Sequence, residues 1–383
     1  MPDNGDEMKV LYVVGTRPNF MKVAPVLTAL SEHREVDQVL VHTGQHYDSR
    51  LSGAFFEDLA LPQPDSFLEV GSGSHGEQTA NVILRLEPVL AAERPEVVVV
   101  PGDVNSTLGA AIAAVKLGLP VVHLEAGLRS YDRTMPEEHN RVVVDHLADL
   151  LLTPSRDADE NLRREGIPSE RIAFVGNLMI DSLRAHESAA RALDVARREH
   201  AADDYVLVTL HRPATVDEPA ALLPVMETLE LLAETRPVLF PVHPRTQAML
   251  KSIGWEGRRV RLLEPQGYLR FLSLEASATA VVTDSGGVQE ETTGLGVPCF
   301  TLRTNTERPV TITEGTNRLL GTGPEALARL RSELEGSPSR RGTVPEGWDG
   351  AAAGRVTRLL VERYGLRESR SSTSSALEAP EAG

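Results

Sequence analysis

The chain has 383 residues, enough for two domains at about 150 residues each, and its 41% apolar and 25% charged content excludes a disordered or fibrous protein. Its 39 Lys and Arg face 55 Asp and Glu, a formal charge of −16, which repels polyanions and argues against general binding to nucleic acid or an anionic membrane. The single cysteine, Cys299, allows neither an internal disulfide nor a multi-cysteine metal site, and an acidic start without an apolar signal core points to the cytoplasm.

From Met8, KVLYVVGT reads as a short buried strand, and MKVAPVLTALSEH as a helix with apolar residues at helical spacing. Strand-like runs follow in VDQVLVHTG, EVVVVPGD, LPVVHLE, DLLLTPS and RIAFVGN. Stretches such as ANVILRLEPVLAAE and HNRVVVDHLADL between them can be helices. Strands this continuously apolar predict a parallel sheet covered on both faces. After Asp181 the Ala-, Arg- and Glu-rich LRAHESAARALDVARREHAADD suits a helical connector, which closes a first domain at 8–182. DYVLVTL, PVLFPVH, RRVRLLEP, TAVVTDS and VPCFTL repeat the alternation and predict a second domain at 204–345. GSPSRRGTVPEGWDG reads as a loop, AAAGRVTRLLVERYG as a last helix at about 351–365, and the Ser-, Ala- and Glu-rich 366–383 as a disordered tail. The expected fold is α/β, with two Rossmann-like doubly wound domains and a ligand cleft between their strand ends.

The residues directly after the strands are therefore the ones to inspect. They include Gly15, Thr16 and Arg17, then Gly102, Asp103 and Asn105, then Glu125. In the second half they are His211, Arg212, His243, Arg245, Asp284, Ser285, Gly286 and Gly287. Any one could be a cap or turn residue, but capping favours Ser, Thr, Asp and Asn and has little use for His, Arg and Glu together. In TAVVTDSGGVQEE a buried strand runs through Ser285, Gly286 and Gly287 into a helix, whose free N–H groups suit a phosphate. It is neither GxGxxG nor a P-loop. Three features there have plain structural explanations. Glu290 and Glu291 could complement the helix dipole, Arg141 could form an ordinary surface pair with Glu137 four residues earlier, and Arg308 of TERP could sit in a solvated turn. No HExxH and no GxSxG is present, so no metal is expected.

Taken in order, GTRPNFMKVAP, HTGQHYD, GDVNST, HLEAGLRS, PEEHNR, TLHRP, TDSGGVQEE and TERPVTITEGTNRL closely resemble the non-hydrolysing UDP-N-acetylglucosamine 2-epimerases. The resemblance covers about Met8 to Gly365. It implies a fold like that of GT-B glycosyltransferases, a homodimer, domain closure, and interconversion of UDP-N-acetylglucosamine and UDP-N-acetylmannosamine without NAD or metal. It further implies that Asp103, Glu125 and Glu137 are essential carboxylates and His211 an essential histidine. Arg17 and Lys22 are implied near the nucleotide or the active site. Ser285, Gly286 and Gly287 match the UDP-binding helix start, where Glu291 grips the ribose. Arg308 is implied as a phosphate or sugar ligand, with Arg141 and Arg212 as partners in the cleft. Gln45, His46, Asn105 and Arg129 are taken to shape loops.

Two departures stand out. Many members continue the histidine motif as HRREN or HRAEN, whereas this chain has His211-Arg212-Pro213-Ala214-Thr215. Asp48 and Glu77, beside Gln78, occupy places where some members bind a second UDP-sugar as activator, and acidic groups there would weaken or remove that site. Alternatives to the non-hydrolysing epimerase are a hydrolysing 2-epimerase, a GT-B glycosyltransferase and a non-catalytic nucleotide-sugar sensor.

Overall fold

A computed structural model of the chain describes residues 8–44, 62–336 and 342–365. The first strand, β1 (Met8–Val14), shows how the sequence builds the layers. Val10, Tyr12 and Val14 point into one apolar core, while Leu11 and Val13 point into another on the opposite face, as alternate residues of a strand must. A strand buried on both faces needs helices on both sides, and α1 (Arg17–Leu30), β2 (Val36–His42), β3 (Ser66–Phe67), α2 (His75–Glu93), β4 (Val97–Pro101) and α3 (Asn105–Lys116) follow in that logic. The first unit continues with β5 (Val121–Leu124), α4 (Pro136–Leu147), β6 (Leu150–Thr153), α5 (Arg156–Arg164) and β7 (Ile172–Phe174). The connector is helical, α6 (Leu178–Leu193) and α7 (Val195–His200), broken at Asp194, which takes a left-handed conformation.

The second unit runs through β8 (Val206–Thr209), α8 (Pro213–Val216), α9 (Pro219–Leu232), β9 (Val238–Pro241), α10 (Pro244–Ser252), β10 (Arg261–Leu263) and α11 (Tyr268–Ser277). It ends with β11 (Ala280–Thr283), α12 (Gly286–Leu295), β12 (Cys299–Thr301), α13 (Val310–Thr313), β13 (Asn317–Leu319) and α14 (Pro324–Glu335). Its sheet is likewise packed on both faces, with Val206 and Val208 in one core and Tyr205 and Leu207 in the other. The last helix, α15 (Ala352–Tyr364), returns to the first unit. Ala352, Ala353, Val356 and Leu360 lie at helical spacing and join Phe20, Met21, Val23 and Leu27 of α1 in one core. The carboxylate of Asp181 accepts the N–H groups of Ala352 and Ala353 at 3.1 and 2.7 Å, satisfying two of the free donors of that helix start.

Both sheets are parallel, ordered β3-β2-β1-β4-β5-β6-β7 and β10-β9-β8-β11-β12-β13. The fold is two Rossmann-like doubly wound units. Strand order reverses between β1 and β4 in one sheet and between β8 and β11 in the other, and the crevice outside such a switch point is where these sheets take ligands. The four loops that open there start at Gly15, Gly102, Leu210 and Asp284. Strands β3 and β13 were not expected from the sequence, because two or three residues show no alternation. Gln45, His46, Asp48 and the 366–383 tail lie outside the described residues. No described helix is long and apolar enough to cross a membrane.

Candidate active site

At the first switch point the backbone is bent to bring side chains together. Gly102 follows β4 with φ +67°, and a Cβ there would sit 3.0 Å from Lys22 Nζ and 3.4 Å from Glu125 Oε2, so a larger residue would be strained and would crowd the pair. Glu125 follows β5 in the same left-handed region, φ 67°, which an L-glutamate adopts only when its surroundings hold it there. Its side chain is fixed by charge. Its Oε2 pairs with Lys22 Nζ, and its Oε1 lies 3.1 Å from Arg308 Nη2 of the second unit.

Asp103, one residue after Gly102, pairs with Arg141 through both Nε, at 3.1 Å, and Nη2. Burial alone would raise its carboxyl, but Arg141, Lys22 and Arg308 outweigh that and hold it below its ordinary value. Behind these loops, His123 ties Asp145 to the carbonyl of Gly102, at 2.7 Å on each ring nitrogen. Asp145 in turn accepts from Gly127 N and Arg129 Nη1. Arg129 also grips Glu165 with two hydrogen bonds of 2.8 and 2.7 Å, so it shapes the loop after Glu125.

Arg141 forms no surface pair with Glu137. It is 3% exposed and pairs with Asp103 and Glu138 instead. Glu138 is spent on structure: it accepts Ser130 N, Ser130 Oγ and Tyr131 N at 2.8–3.0 Å. Glu137, one residue earlier in the first turn of α4, is half-buried and takes part in none of these bonds.

At the second switch point Asp284 is fully buried and accepts the backbone N–H groups of His211 and Arg212 at 2.9–3.1 Å. Its Oδ1 also lies 3.3 Å from His211 Nδ1, which leaves Nε2 as the nitrogen available to a ligand. Burial pushes the His211 imidazole below its ordinary value, and Arg212 adds to that against the opposing pull of Asp284. The ring of His243 stands 5.9 Å away. Pro213 starts the short α8 directly after this pair, so the departure from the HRREN pattern falls on a helix start.

Ser285 is the N-cap of α12 and Gly286 its first residue. A Cβ on Gly286 would lie 2.6 Å from Arg308 Nη1, so the guanidinium lies against the helix start where N–H groups lack acceptors. Backbone donors and a cation converge there on one spot, which suits an anion such as a diphosphate. Arg308 is in no solvated turn. Its side chain is 11% exposed and lies 2.9 Å from Glu290 and 3.5 Å from Glu307 as well as against Glu125. Glu307 also holds Arg303 at 3.0 Å and Arg212 at 3.5 Å. Glu290 and Glu291 lie in the second turn of α12, not the first, and both are buried; they do not serve as exposed dipole complements. Glu290 Oε1 accepts from Asn177 at 2.8 Å. Arg17 reaches from α1 to 5.9 Å above the ring of Tyr268, beside Glu291.

Ion pairs thus run from Lys22 through Glu125, Arg308 and Glu307 to Arg212, with the Asp103–Arg141 pair close enough at one end for Lys22 and Arg308 to act on Asp103, and with His211 on Asp284 at the other. Arg17 and Glu291 stand together near Tyr268, and Glu137 in the first turn of α4. Glu307 has no part in the sequence reading, Asp284 only a place among the strand-end residues, and Glu290 only a dipole role. Only the adjacency of Glu307 to Arg308 could have hinted at it. Glu77 serves as a helix cap, its carboxylate accepting Ser74 N at 2.9 Å. Among the described residues no cluster of three His, Cys, Asp or Glu is placed to hold a metal ion.

A family model described as UDP-N-acetylglucosamine 2-epimerase matches residues 28–361. The UDP-N-acetylglucosamine 2-epimerase of Methanocaldococcus jannaschii is 42% identical over 92% of this chain and 99% of that protein. A crystal structure of it with UDP-GlcNAc and UDP superposes with a TM-score of 0.85 at 40% identity, covering 93% and 100% of the two chains. The UDP-2,3-diacetamido-2,3-dideoxy-D-glucuronate 2-epimerase of Pseudomonas aeruginosa is 38% identical over 93% of this chain and 100% of that one. A kitacinnamycin glycosyltransferase, 14% identical with a TM-score of 0.58 over 94% of this chain and 100% of its own, shares the GT-B-like fold alone.

Proposed function

The chain belongs to the UDP-N-acetylglucosamine 2-epimerase family, and on that premise we propose that it inverts C2 of a UDP-2-acetamido sugar without releasing free sugar. The observation that carries this is Glu125, held between Lys22 of its own unit and Arg308 of the other, with Arg308 laid on the α12 start. One cation thus joins an anion site to a carboxylate able to move protons.

The hydrogen on C2 is adjacent to no carbonyl, so its direct removal is difficult. Elimination is easier. The C1–O bond breaks with its electron pair leaving on UDP, the C2 proton passes to a protein base, and a C1–C2 double bond forms. The products are a 2-acetamidoglucal and UDP. Return of a proton to the other face of C2, with the UDP oxygen bonding again to C1, gives the epimer. The α12 N–H groups, Arg308 and Arg212 would take up the charge that develops on the diphosphate. Asp103, Glu125, Glu137 and His211 would supply acid and base on the two faces of the ring. Lys22 would keep Glu125 aimed, Arg141 would do the same for Asp103, and Arg17 with Glu291 would hold the nucleoside end.

The kinship with the M. jannaschii and P. aeruginosa enzymes supports UDP-N-acetylglucosamine or a more substituted 2-acetamido sugar as substrate. Proton NMR of the reaction with each sugar is expected to show a UDP-linked epimer growing in with free UDP at trace level. UDP accumulating in step with free sugar would replace this reading with hydrolysis, and no turnover of either sugar would end it.

A further inference from the structure

Beneath the proposed nucleoside end of the cleft lies a buried pair of carboxyl groups, Glu275 and Glu291, of which Glu275 has no part in the proposed reaction. Glu275, near the end of α11, is 0% exposed, and no donor among the described residues reaches either of its oxygens. Its carboxyl lies against that of Glu291 on α12. Two carboxylates cannot meet in a dry interior with both ionised, so at least one proton must lie between them. Every other group facing the pair has a place. Arg17 of α1 and the Tyr268 hydroxyl of α11 face Glu291, and Glu290 adjoins it on its own helix. His186 of α6 meets Tyr268 edge to face at 5.8 Å, and Tyr205 and Cys299 also lie within reach of the Glu275 charge.

We propose that Glu275 is a positioning residue for the nucleotide: it carries the shared proton, donates it to the Glu291 carboxylate, and so holds Glu291 to accept the ribose hydroxyls. This rests on Glu291 as the ribose ligand. Burial, with Glu290 opposing Arg17, pushes Glu291 up to about 7, and burial together with Glu291 pushes Glu275 well above the carboxylate range. The sign follows. Below neutral pH the pair fills with two protons and Glu291 stops being a pure acceptor. Ribose binding selects the singly protonated pair, expels a proton and strengthens as pH rises.

The test compares UDP with 2′,3′-dideoxy-UDP by calorimetry on the intact protein at pH 6 and pH 8. The two ligands share the titration of the phosphates and differ only in the hydroxyls. The preference for UDP over the dideoxy analogue is expected to grow about tenfold from pH 6 to pH 8, since one unit below the titration point about a tenth of the sites are singly protonated. In Glu275→Gln the amide N–H can donate to Glu291 without titrating, so the preference should be high and equal at both pH values. A preference for UDP that is already constant with pH in the unmodified protein overturns the role of Glu275 while leaving Glu291 on the ribose. Equal binding of the two ligands at pH 8 removes the ribose contact itself, and the proposal with it.

Discussion

Glu125→Gln is expected to lower turnover by about 10²- to 10⁴-fold, the size of effect seen when an acid–base group is removed, while UDP affinity changes by no more than a few fold. The variant keeps the shape of the side chain and its left-handed backbone, φ 67°, and it leaves the anion site intact, because Ser285, Gly286 and Arg308 are untouched. What it removes is the ability of that position to take or return a proton beside Lys22 and Arg308. Rate and binding are therefore expected to separate. Turnover read by NMR and UDP affinity read by calorimetry check both halves, and unchanged turnover would refute the assigned role.

Arg308→Ala is expected to fail on two counts at once. Its guanidinium is the shared partner of Glu125, Glu290 and Glu307, at 2.9–3.5 Å. Removing it leaves buried carboxylates uncompensated, a change that costs about 3–5 kcal/mol and is expected to lower the melting temperature by roughly 10 °C. The same cation lies on the α12 start, so the loss of one charge-assisted contact should also weaken UDP binding by about 10- to 100-fold. The stability loss has a pH signature. Burial would raise the Glu307 carboxyl, but Arg308, Arg303 and Arg212 outweigh it and hold it well below the usual range. The stabilisation from that group is therefore present above the ordinary carboxylate range and is lost as pH falls through the lowered value. The difference in melting temperature between the two proteins should accordingly be largest near neutral pH and shrink in acid. Arg308→Lys restores a charge but not the planar fork, so it should recover part of the stability and little of the affinity.

Both sheets are legible in the chain because most of their strands are apolar runs, and β1, β4, β5 and β11 are followed at once by Gly15, Gly102, Glu125 and Asp284. The strand-end residues point to the switch-point crevices for the same reason: in a parallel sheet, whatever follows a strand opens at one edge. Pairing is less legible. Arg141 stands four residues from Glu137 and three from Glu138, both helical neighbours, and only the fold decides for Glu138 by bringing Ser130 and Tyr131 onto the same carboxylate. Arg308 before a proline reads as a turn until the second unit lays it across the cleft on Glu125. Glu275 gives one faint signal, a charged residue inside the apolar run YLRFLSLEASATA, and nothing in its spacing indicates Glu291 sixteen residues later.

The most direct measurement of the account follows the C2 hydrogen itself. Incubation of the protein with a UDP-2-acetamido sugar in deuterated water should place one deuterium at C2 of both the starting sugar and its epimer, because elimination hands that proton to an exchanging side chain. Epimer formed with its original hydrogen in place, or no exchange with UDP-N-acetylglucosamine or the diacetamido glucuronate sugar, would contradict it.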